Sequence, residues 1–290
     1  MNTGDTQVKG RSLWQDALQR LFLNKAAITS LVLLLLITLL TLVGPLLSPF
    51  PYDDIDFNQI SVAPDLSSGH WFGTDSVGRD LFVRTLQGGR ISLLIGIAAT
   101  LVSLVIGVGY GAIAGYYGGR VDAVMMRLVD ILYAMPFMFF VILLMVTFGR
   151  HIMLIFIAIG AINWLDMARI VRGQTLSLKN KAYVEAARTY GTSSFRIIFK
   201  HIMPNLLGIV MVYVTLTIPQ VILVESFLSY LGLGIQEPAT SWGTLVNEGA
   251  KDMENAPWML AFPASFLAIT LFCFNFIGDG LRDALDPKDR

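Results

Sequence analysis

"KAYVEAARTYGTSSFRIIFKHIMPN", residues 181–205, decides how the rest of the chain is read. It is polar and helix-forming, is broken once by a glycine and ends near a proline. Yet apolar runs long enough to cross a bilayer lie on both sides of it. Tyr183, Val184 and Ala187 fall on one side of a short amphipathic helix over 180–190, with Lys181, Glu185 and Arg188 supplying charge. Gly191 suits a left-handed helix stop. Thr192 or Ser193 is placed to cap a second helix, about Ser194–His201, that leads to Pro204 and the next apolar run. Helix, glycine turn and helix make a rigid knob. Two roles fit it: a docking surface for another protein, or a capped surface loop with no partner.

The surroundings have the composition of a membrane protein. Of 290 residues 54% are hydrophobic and 14% charged, with a mean hydropathy of +0.64, whereas soluble domains carry about a quarter charged residues. A bilayer core takes about 20 apolar residues as helix. The stretches that qualify are Ala26–Leu47, Ile91–Tyr116, Val124–Phe148, Ile152–Ile170, Leu206–Leu233 and Trp258–Ile277. The first is ended by Gly44, Pro45 and Pro49. Pro136 is expected to kink the third. Only Gly149, Arg150 and His151 separate the third from the fourth, so those two form a hairpin. No small-residue cleavage site follows the first run, so a signal peptide is not expected.

Six spans leave both termini on one side. With the N-terminus inside, the inner segments hold most of the lysines and arginines, among them Arg120, Arg127, Arg169, Arg172, Lys179, Lys181, Arg188, Arg196 and Lys200. The outer ones hold Arg79, Arg84, Arg90, Arg150 and Lys251. The excess of basic residues on the cytoplasmic side of membrane proteins favours this orientation, and the knob then faces the cytoplasm. The expected organisation is an all-α membrane protein: a cytoplasmic tail over 1–25, a first transmembrane helix over 26–47, a periplasmic segment over 48–90, and a five-helix core over 91–285 with the cytoplasmic loop at 178–204. In the tail, Leu13, Trp14, Ala17, Leu18, Leu21 and Phe22 recur at helical spacing, with Ser12 and Gln15 as a capping box. This helix lies on the inner membrane surface or packs on the protein's own cytoplasmic end.

Within the spans, small residues at Ala99, Ser103, Gly107, Gly111 and Gly115 form one stripe that admits a neighbouring backbone, in this chain or in a partner. Arg127 with Asp130, and Asp80 with Arg84, are spaced to pair across a helical turn. Glu225 is a carboxylate well inside a span, which is costly unless it faces a cavity or a hydrogen-bonding neighbour. It and Pro219 are the pore or gate candidates, with a structural hydrogen bond to a neighbouring helix the other reading of Glu225. Asn163, Asp166 and Asp279 sit toward the inner interface and read as anchors.

Several classes are disfavoured. The formal net charge of zero gives no electrostatic case for nucleic acid. There is no GxxxxGK[ST] phosphate loop, so no nucleotide site is expected in this chain. Cys273 alone forms no internal disulfide. His70, His151 and His201 are scattered, with no metal motif, so neither a metal site nor a catalytic residue is assigned. A secondary transporter would show repeated halves with broken helices, and none is seen. A hydrolase would need a nucleophile and base within reach.

"EAARTYG" followed by "IMP" resembles the EAA loop of permease subunits of binding-protein-dependent ABC importers. Glu185, Ala186, Ala187, Gly191, Ile202 and Pro204 match that pattern, and Met203 stands where leucine is usual. "FGTDSVGRDLFVRTLQGGRISL" (72–93), "ESFLSYLGLG" (225–234), "SWGTL" (241–245) and "GDGLRDALDP" (278–287) resemble the peptide and nickel branch, so the likeness covers nearly the whole chain. The resemblance implies the type I importer permease fold in a bacterial inner membrane. It implies a non-catalytic subunit of an ATP-driven oligopeptide importer, with dipeptide or nickel as alternative cargo. The implied partners are a second homologous permease, two ATP-binding subunits that carry the ATP and Mg, and a periplasmic peptide-binding protein. Tyr183, Glu185, Ala186, Ala187 and Gly191 would then be the coupling loop seated in an ATPase. The acidic stretch 48–90 would form ordered structure over the outer face, either touching the binding protein or acting as a fold-stabilising plug with no contact, and the segment 235–258 would be a second candidate surface.

Overall fold

A computed structural model describes residues 13–149 and 152–285. The described chain is helix and loop, with one isolated bridge between Thr74 and Asp80. The proposed Ser12 cap, Arg150, His151 and residues 286–290 lie outside it. Helix α1 (Leu13–Leu23) leads to α2 (Lys25–Leu47), which Asn24 caps by accepting from the Ala27 amide at 3.1 Å. Helix α2 runs through Gly44 and Pro45 rather than ending there. Gly44 is needed for space: a Cβ on it would stand 2.3 Å from Leu86 Cδ1 of the next helix.

Helix α3 (Leu81–Tyr117) begins well before the apolar pattern that starts at Ile91. Asp80 caps it, accepting from the Val83 amide at 2.8 Å. Asp80 also meets His70 Nδ1 at 2.9 Å, so it does not pair with Arg84 as the spacing suggests. The third span is two helices, α4 (Gly119–Ala134) and α5 (Phe137–Phe148), bent 78° apart. Pro136 forces this, because the ring clashes with a helical predecessor and drives Met135 to φ −75°, ψ 128°. Asp130 pairs with Arg169 at 2.8 Å, not with Arg127.

Helix α6 (Ile152–Leu178) precedes the short α7 (Ala182–Thr189) and α8 (Ser194–Ile197), followed by a π turn (Ile198–Ile202) and α9 (Met203–Tyr230). The expected second knob helix is therefore the first part of one continuous helix, Ser194–Tyr230. The π turn absorbs Pro204: the Met203 amide reaches back to the Ile198 carbonyl, and the Asn205 side chain donates to the His201 carbonyl at 2.7 Å. Helices α10 (Trp242–Lys251) and α11 (Trp258–Leu285) complete the chain.

Among the described residues, α2, α3, Ser194–Tyr230 and α11 are long and apolar enough to cross a membrane, and α4–α5 make a fifth candidate as a broken pair. Helix α3 is the axis. Its small-residue stripe packs within the chain against α6, where a Cβ on Gly111 would stand 2.4 Å from the Ala168 carbonyl oxygen. On α1, Ala17 is buried while Leu18, Phe22 and Leu23 are exposed. A Cβ on Gly280 of α11 would touch Ala27 and Leu21. So α1 packs on α11 through one side and leaves an apolar side open.

Candidate functional site

Helix α7 is closed by two reverse hydrogen bonds, Gly191 amide to Arg188 carbonyl at 3.0 Å and Thr192 amide to Ala187 carbonyl at 3.1 Å, with Gly191 at φ +74°. This is the left-handed stop read from the sequence. Ser193 takes the cap position of α8, but its side chain accepts no capping bond. Val184 is fully buried in a cluster with Val108 and Tyr116 of α3, Val171 of α6 and Ile202 and Leu206, and Ala187 packs on the same cluster. Two polar contacts add to this anchorage. Lys179 Nζ donates to the Gly115 carbonyl at 2.9 Å, and the Arg188 guanidinium lies 5.6 Å from the centre of the Tyr116 ring.

The opposite side of α7 is open. Glu185 and Ala186 are exposed, as are Tyr183, Tyr190, Phe195 and Phe199. Among the described residues no cation pairs with Glu185. The knob is thus fixed to α3, α6 and α9 on one side and presents a carboxylate among aromatic rings on the other. Of the five expected coupling residues, Tyr183, Glu185, Ala186 and Gly191 are exposed and Ala187 packs inward beside the buried Val184.

Toward the other end of α3, with Ser92 about 36 Å from Tyr116 at 1.5 Å per residue, lies a second constellation that the sequence did not reveal as one unit. Glu225 has no exposed surface and accepts from Ser92 at 3.2 Å and Ser229 at 2.7 Å. Ser92 in turn accepts from the Trp242 amide, and Ser241 donates to Ser229 at 3.3 Å. Trp242 is fully buried and donates from its indole to the Thr85 carbonyl at 2.9 Å. Glu225 therefore joins α3, α9 and the start of α10, which is the hydrogen-bonding reading of that residue. The "ESFLSYLGLG" and "SWGTL" stretches meet in this network. Pro219 is buried inside α9.

Next to it lies a cluster of ions. Arg84 has no exposed surface and meets Glu248 at 3.0 Å and Asp75 at 3.3 Å, while Arg79 meets Asp75 at 2.6 Å and Glu237 at 3.0 Å. Burial pushes the Glu248 carboxyl above its ordinary range, against the pull of Arg84 and Arg79. These pairs tie the segment before α3 to α10 and to the turn after α9. Phe72 stacking on Phe262 at 3.9 Å adds an apolar tie to α11.

A third feature lies between the ends. A cavity of about 290 Å³ opens between α6 and α9, lined by Asn163, Asp166, Met167, Ile170, Tyr213, Leu216, Thr217 and Gln220. Asn163 and Asp166, read from the sequence as anchors, share this wall. Asp166 is exposed and accepts from the Tyr133 hydroxyl at 2.8 Å. Gln220, next to the buried Pro219, is also exposed.

The described chain is thus a helical bundle with an anchored knob at one end and a buried hydrogen-bonded and ionic network toward the other. Residues 107–290 match the family described as binding-protein-dependent transport system inner membrane component, and residues 12–64 match the N-terminal transmembrane domain of oligopeptide transport permease C. The chain belongs to this family and is a multi-pass permease of the inner membrane. It is 62% identical to the oligopeptide transport system permease protein OppC of Haemophilus influenzae, over 99% of this chain and 92% of that one. It is also 62% identical to the protein of the same name from Escherichia coli K12, over 98% and 94%. In fold it is similar to a chain in a structure of the MetNI methionine ABC transporter in inward-facing conformations, with a TM-score of 0.56, 20% identity, and coverage of 71% of this chain and 96% of that one.

Proposed function

We propose that this chain is a permease subunit of an ATP-driven, binding-protein-dependent oligopeptide importer. The observation that carries the cargo is the 62% identity to oligopeptide permeases along 99% of the chain. In this reading the chain crosses the membrane six times, with both termini cytoplasmic. Helix α6, at 27 residues, joins α2, α3, the α4–α5 pair, α9 and α11 as a span. The basic residues Arg120, Lys179, Lys181, Arg188, Arg196 and Lys200 gather at the knob end, which supports that end being inside.

A second homologous permease completes the path, two partner subunits bind and hydrolyse ATP with Mg, and a soluble protein delivers the peptide from outside. Tyr183, Glu185, Ala186 and Gly191 form the docking knob. Their support is the combination of exposed aromatic rings with a buried anchor at Val184 and Ala187. A lever must be stiff to carry a rigid-body change between subunits, and α7 is held to three spans. Glu225 and Pro219 shape the outer part of α9 and act on the gate through the turn into α10.

The test is to tag the chain, extract it in mild detergent, and identify what copurifies. A second permease and ATPases carrying phosphate-binding loops are expected, and the reconstituted assembly takes up a labelled tripeptide only with ATP. A chain that purifies alone and still catalyses uptake overturns the reading.

A further inference from the structure

Asp166 lies fourteen residues after Ile152 in α6, and Thr217 fourteen after Met203 in α9. At 1.5 Å per residue Asp166 is about 21 Å along α6, and Thr217 is about 35 Å along the continuous helix Ser194–Tyr230. The two helices run antiparallel side by side, so in this reading the cavity lies within the membrane-crossing part of both, toward the inner side, with Asp166 about 6 Å from the inner end of the run Ile152–Ile170. An exposed carboxylate there cannot face lipid without a cost of several kcal/mol, so residues of this kind face water or a partner.

The charges around Asp166 do not balance. Arg169 lies above the Tyr133 ring, 4.4 Å from its centre, and gives its ion pair to Asp130. Two carboxylates thus share one guanidinium, and among the described residues no cation lies within 4.0 Å of Asp166. The other polar groups of the wall, Asn163, Tyr213, Thr217 and Gln220, are uncharged; Asn163 and Thr217 donate to the Ile159 and Tyr213 carbonyls of their own helices and keep their oxygens as acceptors. They match peptide amides whatever the side chains carried.

We propose that Asn163, Asp166, Tyr213, Thr217 and Gln220 form this chain's wall of the translocation path, and that Asp166 is where a cargo ammonium is met. This rests on the importer reading above. Every peptide with a free amino terminus carries such a group. A wall of neutral amide and hydroxyl groups with one uncompensated carboxylate passes varied sequences while favouring a cationic end.

The experiment uses the complete transporter in cells. Cys273, the only cysteine, is buried in α11 and is first replaced by serine. Thr217→Cys, Gln220→Cys and, as the apolar-surface control on α2, Leu35→Cys are then treated with membrane-impermeant cationic and anionic thiosulfonates of matched size. In variants that still take up tripeptide, the cysteines at 217 and 220 are expected to react at least about tenfold faster than that at 35. The cation-to-anion ratio at 217 is expected to fall about tenfold on adding Asp166→Asn, the order expected for one charge several Å away in a medium of intermediate dielectric.

Reaction at 217 and 220 no faster than at 35, with uptake intact, overturns the wall. Fast reaction with a ratio that Asp166→Asn leaves unchanged overturns the ammonium role. Failure of the underlying reading shows differently, as tripeptide uptake that survives inactivation of the copurifying ATPases.

Discussion

Two glycines of one helix should respond in opposite ways to the same substitution. A Cβ on Gly111 would stand 2.4 Å from the Ala168 carbonyl oxygen and 2.9 Å from both the Arg172 amide nitrogen and Val171 Cβ. Ordinary contact starts at 3.4 Å, so α6 must retreat by about 1 Å, the difference from 2.4 Å. The obstacle is largely backbone, which has no rotamer to turn away. Overpacking costs about 1–3 kcal/mol, and the upper end applies here. Alanine in a helix recovers about 0.5–1 kcal/mol of backbone entropy, leaving Gly111→Ala about 2 kcal/mol less stable. Gly109 lies on the same helix with nothing within 4 Å of its Cβ position, so Gly109→Ala keeps only the gain. The two variants should differ by about 3 kcal/mol. In a thermal aggregation assay of the purified complex this is roughly 5–10 °C between midpoints, with wild type between them. If Gly111→Ala melts at or above Gly109→Ala, the close approach of α3 to α6 is not what holds this bundle together.

Three further outcomes follow from the same geometry. Gly191 has φ +74° and open space around it, so Gly191→Ala strains only the backbone, by about 1–2 kcal/mol. Peptide-stimulated ATP hydrolysis should fall while membrane insertion is retained, and Gly191→Asn should be milder because asparagine tolerates this conformation. Glu248→Ala strands the fully buried Arg84 beside Asp75 alone and should cost about 3–5 kcal/mol, seen as a drop in folded yield. The double change Arg84→Met with Glu248→Leu should recover much of it. Glu225→Ala leaves the Ser92 and Ser229 hydroxyls without their acceptor at about 1–3 kcal/mol. Glu225→Gln keeps an acceptor and should retain more thermal stability and more uptake than Glu225→Ala.

What could be read from the sequence was whatever neighbouring residues settle among themselves. The knob helix expected over 180–190 is α7, Ala182–Thr189, because Gly191 ends it through hydrogen bonds within its own turn. The stop needs no information from the rest of the chain. The apolar runs fixed most spans for the same reason, since a bilayer tests each stretch by length and hydropathy. Helix α3 escaped that test at its start, where Arg84 and Arg90 precede the apolar run.

The tertiary structure decided everything that depends on which neighbour a residue finds. Spacing offered Asp80 to Arg84 and Arg127 to Asp130. The fold instead gave Asp80 to a helix cap and His70, Arg84 to Glu248, and Asp130 to Arg169. An ion pair one helical turn away gains little, whereas a buried guanidinium must find a carboxylate wherever the chain brings one. The small-residue stripe was plain in the sequence, but only packing showed that it receives α6 of the same chain. Proline at 136 announced a kink, and the structure gives its size, 78°. Asp166 carried no signal beyond its charge: that it stands exposed beside a cavity, with the nearest arginine already taken, is a property of three helices at once.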